Sequence, residues 1–391
     1  MKIAVFGASG FVGTALVEHL LKEPGHEVVV CINRVGSAWR LSRAQIPWRS
    51  VDILAPDALA SALEGATHVV NCTRGGSEVM LAGLKNLLAA SKNAQVKRFV
   101  HLSSISVYST PGNVRSMRED APTDPEPGSY GWEKLRQDDM IQAAHAGGLD
   151  CVVLCPPNIS GTYSSFVYNV LSDMRAGTLA LVDGGSRPNS TVDVDNLVHA
   201  IMLSLNVAKA DGKRIFVTDG EGPTWKDMAD GLMELAERTE PLSSVGAEQI
   251  VPPVVAKTPM PSLWRSLKHV ASSEVRESLR RDPRWARIDT QIRWLVAKGG
   301  AKIEDRLRLS VEGPQKVSKI HEESPYSSRY MAVQLRGLWH DISRAREALG
   351  YVPPLDFAQS MSRYRDWYKL MYGFGQAYWP LARTIEMFRA D

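Results

Sequence analysis

Gly7-Ala8-Ser9-Gly10-Phe11-Val12-Gly13 follows directly on the apolar run Ile3-Ala4-Val5-Phe6 and leads directly into a helical pattern, at the start of a 391-residue chain. That context matters more than the glycines alone. A short buried strand, a tight glycine turn and a helix N-terminus together make a cradle for a pyrophosphate. Backbone without a Cβ lets the ligand approach closely, and the free N–H groups and helix dipole favour negative charge. The arrangement predicts dinucleotide binding, with Gly7, Ser9, Gly10, Phe11, Val12 and Gly13 around the phosphates.

Outward from this motif the first half alternates strand and helix. Strands are expected at Lys2–Phe6, Glu27–Ile32, His68–Cys72, Arg98–Leu102 and Cys151–Leu154, and helices at Val12–Lys22, Pro56–Leu63, Ser77–Ser91 and Trp132–Ala144. Short β-branched runs separated by helices imply right-handed crossovers and a doubly wound parallel sheet, an α/β fold whose ligands lie beyond the strands' carboxyl ends. Residues 1–155, with contributions from about 185–220, are expected to form this domain, and 156–391 a smaller substrate-binding part. Further strand–helix units are expected at Thr191–Leu205 and Arg214–Leu235.

Between Pro241 and Tyr330 the character changes to a Pro-rich linker followed by helical stretches at Leu263–Leu279 and Trp285–Ala297. Ten Lys/Arg face four acids between Pro261 and Ile303. This added basic helical segment reads either as a solvated face or as a surface for phosphate or lipid head-groups.

The formal net charge of +3 gives no push towards nucleic acid. No apolar run is long enough to span a bilayer, and the chain starts without the apolar block of a secretory signal. Cys31, Cys72, Cys151 and Cys155 sit in or beside apolar runs, which suits buried free thiols in the cytoplasm. No histidines or cysteines are spaced as metal ligands. His101 is expected to be structural, at a strand end.

The chemistry is expected from Tyr130-Gly-Trp-Glu-Lys134, preceded by Ser103-Ser104-Ile105-Ser106 at a strand end. On a helix, Tyr130 and Lys134 share a face. An ammonium beside a phenol is expected to lower the Tyr pKa, so that Tyr130 can exchange a proton with an alcohol or ketone oxygen that Ser104 holds.

With these residues the sequence resembles the extended short-chain dehydrogenase/reductases of the NAD-dependent epimerase/dehydratase type. The resemblance covers about residues 1–235 and returns at Asp341–Pro354, and it implies a Rossmann domain with a smaller substrate domain. It implies catalytic roles for Ser104, Tyr130 and Lys134, cofactor contacts from Asp52, Ile53, Cys72, Thr73, Tyr130, Lys134 and Pro157, and substrate contacts from Ser104, Ser106 and Asn158. Ile105 and Ser106 stand where dehydratases and decarboxylating relatives carry acids, so neither reaction is expected. NAD-type members place an acid after the second strand; here Asn33 and Arg34 stand there, which favours NADP over NAD. Just past the expected strand His68–Cys72, Arg74 replaces the small residues usual in relatives, where it would intrude on cofactor or substrate, or pair at the surface. Asn189 replaces an Arg that often holds a nucleoside diphosphate, leaving Arg187 as the candidate. By analogy a homodimer is expected. The expected activity is redox at a secondary alcohol or keto carbon of a sugar nucleotide, with epimerisation through a transient ketone. An NADPH ketoreductase is the alternative, and a non-catalytic nucleotide sensor the more remote one.

Overall fold

The computed structural model describes residues 1–250 and 330–372, apart from 43, 45, 109–115, 209 and 221. The basic helical segment therefore lies outside the described residues. Met1–Ala247 and Val333–Asp391 form one compact unit, and Glu248–Ala332 another.

The first unit is built on seven strands: β1 Lys2–Phe6, β2 Glu27–Ile32, β3 Trp48–Ser50, β4 His68–Asn71, β5 Arg98–Leu102, β6 Cys151–Cys155 and β7 Arg214–Phe216. They lie in the order β7-β6-β5-β4-β1-β2-β3, and every pairing is parallel. The register Val5↔Val30 and Val5↔Val70 shows how β-branched residues meet across the middle of the sheet. Chain order reverses between β1 and β4, and the glycine turn leaves the sheet at that switch point.

Strand alternation divides the core into two layers. Ile3 and Val5 point to the face packed by Leu16, Val17 and Leu20 of α1 (Phe11–Leu20), by Leu197 and Ile201 of α6 (Val194–Asn206) and by Ala345 and Leu349. Ala4 and Phe6 point to the other face, beneath Leu59 of α2 (Pro56–Ala62), Leu87 of α3 (Leu84–Asn93) and Ile141 of α4 (Tyr130–Ala146). A sheet buried on both faces needs the near-continuous apolar strands seen here.

Short side chains start the later helices. Ser129 caps α4, its hydroxyl accepting from the Trp132 N–H, and Ser164 does the same at α5 (Ser165–Arg175). Thr224 and Asp227 form a reciprocal capping box at α7 (Trp225–Leu232). After β6 the chain makes a second, short parallel pair, Asn158–Ser160 with Thr191–Asp193. Towards the C-terminus come α8 (Met331–Arg336), α9 (Ser343–Leu349) and α10 (Phe357–Tyr372). Left-handed Gly350 ends α9, within the stretch where the family resemblance returns.

The sequence reading missed β3, a three-residue edge strand without an apolar run. It also ran one helix through Ser77–Ser91, whereas a widened turn at Val79–Gly83 precedes α3. Among the described residues no helix is long and apolar enough to cross a membrane, and no cluster of His, Cys, Asp and Glu could hold a metal ion. All four cysteines are free.

Candidate active site

The glycine turn fits a dinucleotide. Gly7 has φ +75°, and a Cβ there would stand 2.6 Å from the Cys72 carbonyl oxygen, so only glycine lets the turn pass the end of β4. α1 begins at Gly10 with no side-chain cap and no acidic residue in its first turn. Its leading N–H groups are thus left without side-chain competition, as a bound pyrophosphate requires. Ser9, Phe11 and Val12 are partly exposed around this turn, and Gly13 is buried within it. Thr14 closes it from below through a hydrogen bond to the Ala8 carbonyl at 3.1 Å.

At the end of β4, Asn71 holds the next loop. Its side-chain oxygen accepts from the Thr73 N–H at 3.1 Å and from the Thr73 hydroxyl at 2.7 Å. Its amide nitrogen faces His101 Nδ1 at 3.1 Å. Since both Thr73 bonds need the oxygen, Asn71 donates to His101, which puts the imidazole proton on Nε2. Burial holds the His101 pKa well below its usual value, in keeping with a neutral ring.

The proton-transfer residues come from α4 and from the loop after β5. Tyr130, Lys134 and Asp138 follow one another at four-residue spacing, one turn of helix apart. Exposure falls along this line, from 37% at Tyr130 to 3% at Lys134 and 0% at Asp138. Gly131 sets how closely α4 approaches Ser104 and Ser106. A Cβ there would stand 2.0 Å from the Ser106 carbonyl oxygen. The Ser104 hydroxyl lies 3.1 Å from that of Ser106 and accepts from the Ser106 N–H.

Lys134 Nζ donates to the Leu102 carbonyl at 2.8 Å and lies 5.9 Å from the Tyr130 ring centroid. Burial lowers its pKa to about 8, with Asp138 opposing that shift. Asp138 in turn accepts from Arg214 Nε at 2.7 Å and from the Ser103 hydroxyl at 2.8 Å. The sequence reading passed over Asp138, although its spacing from Lys134 repeats that of Lys134 from Tyr130.

The expected lowering of the Tyr130 pKa is corrected by the structure. Burial of the phenol dominates and raises it, while the Arg74 charge and the Ser104 hydroxyl act the other way. Desolvation wins because burial disfavours the charged phenolate by more than these two neighbours favour it, and the buried Asp138 carboxylate adds to the rise.

The remaining expected residues divide. Asn33 and Arg34 are exposed just past β2. Asp52 accepts from the Leu54 N–H at 3.0 Å. Ile53 is buried, 6% exposed, with its carbonyl bound by Asn86. Cys72 and Thr73 are partly exposed beside Gly7, and burial raises the Cys72 pKa to about 12, so it stays a thiol. Pro157 is buried and Asn158 partly exposed, at the departure from β6. Arg187 is already engaged, with Nε and Nη2 on Asp183 at 2.9 and 2.8 Å and Nη1 on the Leu335 carbonyl at 3.1 Å. Asn189 is 2% exposed, and its amide nitrogen finds no partner among the described residues.

Comparison with known proteins agrees with this architecture. Residues 3–217 match the family model described as the NAD dependent epimerase/dehydratase family. The chain is 26% identical over 283 residues to a 2-alkyl-3-oxoalkanoate reductase of Stenotrophomonas maltophilia, a match spanning 66% of this chain and 80% of that one. It is 28% identical over 222 residues to the N-acetyl-alpha-D-glucosaminyl-diphospho-ditrans,octacis-undecaprenol 4-epimerase of Escherichia coli O157:H7, spanning 53% of this chain but only 64% of the relative. Among solved structures, the fold is similar to that of a UDP-glucuronic acid 4-epimerase from Bacillus cereus in complex with NAD. The TM-score is 0.62 at 17% identity, covering 95% of this chain and all of the other. From the glycine cradle to the parallel sheet and the matched stretch that spans both, this chain belongs to the NAD-dependent epimerase/dehydratase family.

Proposed function

We infer that the chain is an NAD(P)-dependent enzyme that oxidises or reduces a secondary alcohol or keto carbon. The observation that carries this reading is the meeting of Tyr130, Lys134 and the Ser104 loop at the carboxyl end of β5. The dinucleotide, when bound, supplies the hydride acceptor or donor. Gly7, Ser9, Gly10, Phe11, Val12 and Gly13 would hold its pyrophosphate, with Asp52, Cys72 and Thr73 beside them and the buried Ile53 and Pro157 as backing. Arg34 with Asn33 supports a 2′-phosphate, hence NADP.

Tyr130 gives its proton to a keto oxygen, or takes one from an alcohol. The phenol's raised pKa keeps that proton in place until it is needed, which suits the reducing direction. Ser104 holds the same oxygen, with Ser106 steadying the Ser104 hydroxyl. Lys134 keeps a positive charge under the phenol as negative charge develops there, and would support the ribose. Residues after 155, including Asn158, would take the substrate.

Two substrate readings follow. Epimerisation of a sugar nucleotide through a transient ketone is supported by the likeness to the diphospho-undecaprenol epimerase. One-way reduction of a ketone by NADPH is supported by Arg187, whose three nitrogens are spoken for, so that a diphosphate lacks its expected anchor. Mass spectrometry of the purified protein, combined with an NADPH oxidation assay, separates them. A dinucleotide retained through purification favours epimerisation, and stoichiometric NADPH consumption favours reduction. Absence of both binding and turnover overturns the inference.

A further inference from the structure

The Arg74 side chain stands over the ring of Tyr130, the proposed proton-transfer group. Its guanidinium carbon lies 5.1 Å from the Tyr130 ring centroid, and the residue is exposed. Among the described residues no carboxylate pairs with it. The acid nearest the chemistry, Asp138, is fully buried and committed to Arg214 and Ser103. Lys134 brings a second cation to the same ring at 5.9 Å. Lys134 is buried with Asp138 one turn away, so of the two cations near the ring it is Arg74 that stands exposed with no carboxylate paired to it among the described residues.

The loop carrying Arg74 is also held in place. Thr73, its immediate predecessor, makes two hydrogen bonds to Asn71, which is 1% exposed and anchored in turn on the buried His101. The planar guanidinium offers a fork of donors that matches the two oxygens of a carboxylate.

Resting on the redox reading above, we propose that Arg74 selects substrates that carry a carboxylate close to the reacting carbon, that is, hydroxy or oxo acids. The carboxylate pairs with the guanidinium while the hydroxyl or keto oxygen meets Tyr130. The same pairing removes part of the Arg74 charge from the phenol. An acid substrate therefore leaves Tyr130 a poorer proton donor than a neutral ketone does, and shifts the pH profile accordingly.

An oxyanion at Arg74 has two possible sources, the substrate carboxylate and a phosphate of the dinucleotide, since Cys72 touches the glycine turn. The proposal commits to the substrate. The test is calorimetric binding of 3-hydroxyoctanoate and of its methyl ester to the full chain saturated with oxidised dinucleotide, in wild type, Arg74→Lys and Arg74→Ala. The acid should bind at least tenfold tighter than the ester in wild type. Arg74→Ala should bring the two within about threefold, and Arg74→Lys should fall between. Dinucleotide affinity should change by less than about threefold in either variant. Equal binding of acid and ester by the wild type, a preference that survives Arg74→Ala, or a dinucleotide affinity that falls in step with the acid overturns the proposal, as does failure to bind either probe. Turnover is scored separately with Tyr130→Phe. If the acid preference depends on Arg74 but turnover ignores Tyr130, the redox assignment fails and the Arg74 assignment stands.

Discussion

Lys134 donates to the carbonyl of Leu102 at 2.8 Å, binding the helix that carries the phenol to the strand that delivers Ser104. The bond sits 3% exposed, and the ammonium's pKa is lowered by burial to about 8. In the reducing direction Tyr130 must hold its proton and Lys134 its charge. kcat/KM for ketone reduction should therefore be level below about pH 8 and fall above it. A profile still flat at about pH 10 would remove Lys134 from the charge-holding role.

Tyr130→Phe keeps the ring and loses the proton. Turnover should drop by about 10²–10⁴-fold, the usual size of a lost general acid–base group. Dinucleotide affinity, measured by fluorescence titration, should stay within a few-fold. Undiminished turnover would mean that another group supplies the proton.

Gly131→Ala tests the closeness of α4 to the Ser104 loop. The added methyl meets the Ser106 carbonyl oxygen at 2.0 Å, so the helix start must withdraw. Overpacking of this kind costs about 1–3 kcal/mol. Thermal denaturation should show that loss, and activity should fall further than stability alone explains. A variant with wild-type melting and turnover would show that the approach is not needed.

Arg34→Ala should weaken NADP binding well beyond NAD binding, because only NADP carries the 2′-phosphate for which a guanidinium is suited. Equal losses for the two dinucleotides would make Arg34 a simple surface cation.

Asp219 links the strand Thr191–Asp193 to α6, accepting from the Asp193 N–H at 2.7 Å and the Asn196 amide at 2.6 Å. Burial, with neighbouring Asp193 adding to it, raises its pKa to about 7. The folded chain thus holds a proton there that the unfolded chain releases near pH 4. The resulting stability is present in full below the unfolded pKa and is lost as pH rises through about 7. Between pH 5 and 8, flanking that value, Asp219→Asn should lose less melting temperature than wild type. Parallel curves in calorimetry would show that Asp219 is ionised throughout.

Much of this protein was legible before any coordinates. Apolar β-branched runs bounded by turn residues located β1, β2 and β5 to the residue, because a strand covered on both faces can hide nothing else. Four-residue spacing put Tyr130 and Lys134 on one helical face, since helix geometry alone decides that. Edge strand β3 escaped because exposed edges carry no apolar signature.

The sequence by itself determined the order of strands and helices, the glycine turn and the presence of the proton-transfer groups, all of which depend on neighbours a few residues apart. Only the tertiary structure decided that Arg187 is bound to Asp183, that burial outweighs the nearby cations at Tyr130, and that Arg74 stands over the phenol. The last two depend on distance and desolvation between segments far apart in the chain, as does the second anchor of Arg187 on the Leu335 carbonyl, and no local pattern of residues encodes them.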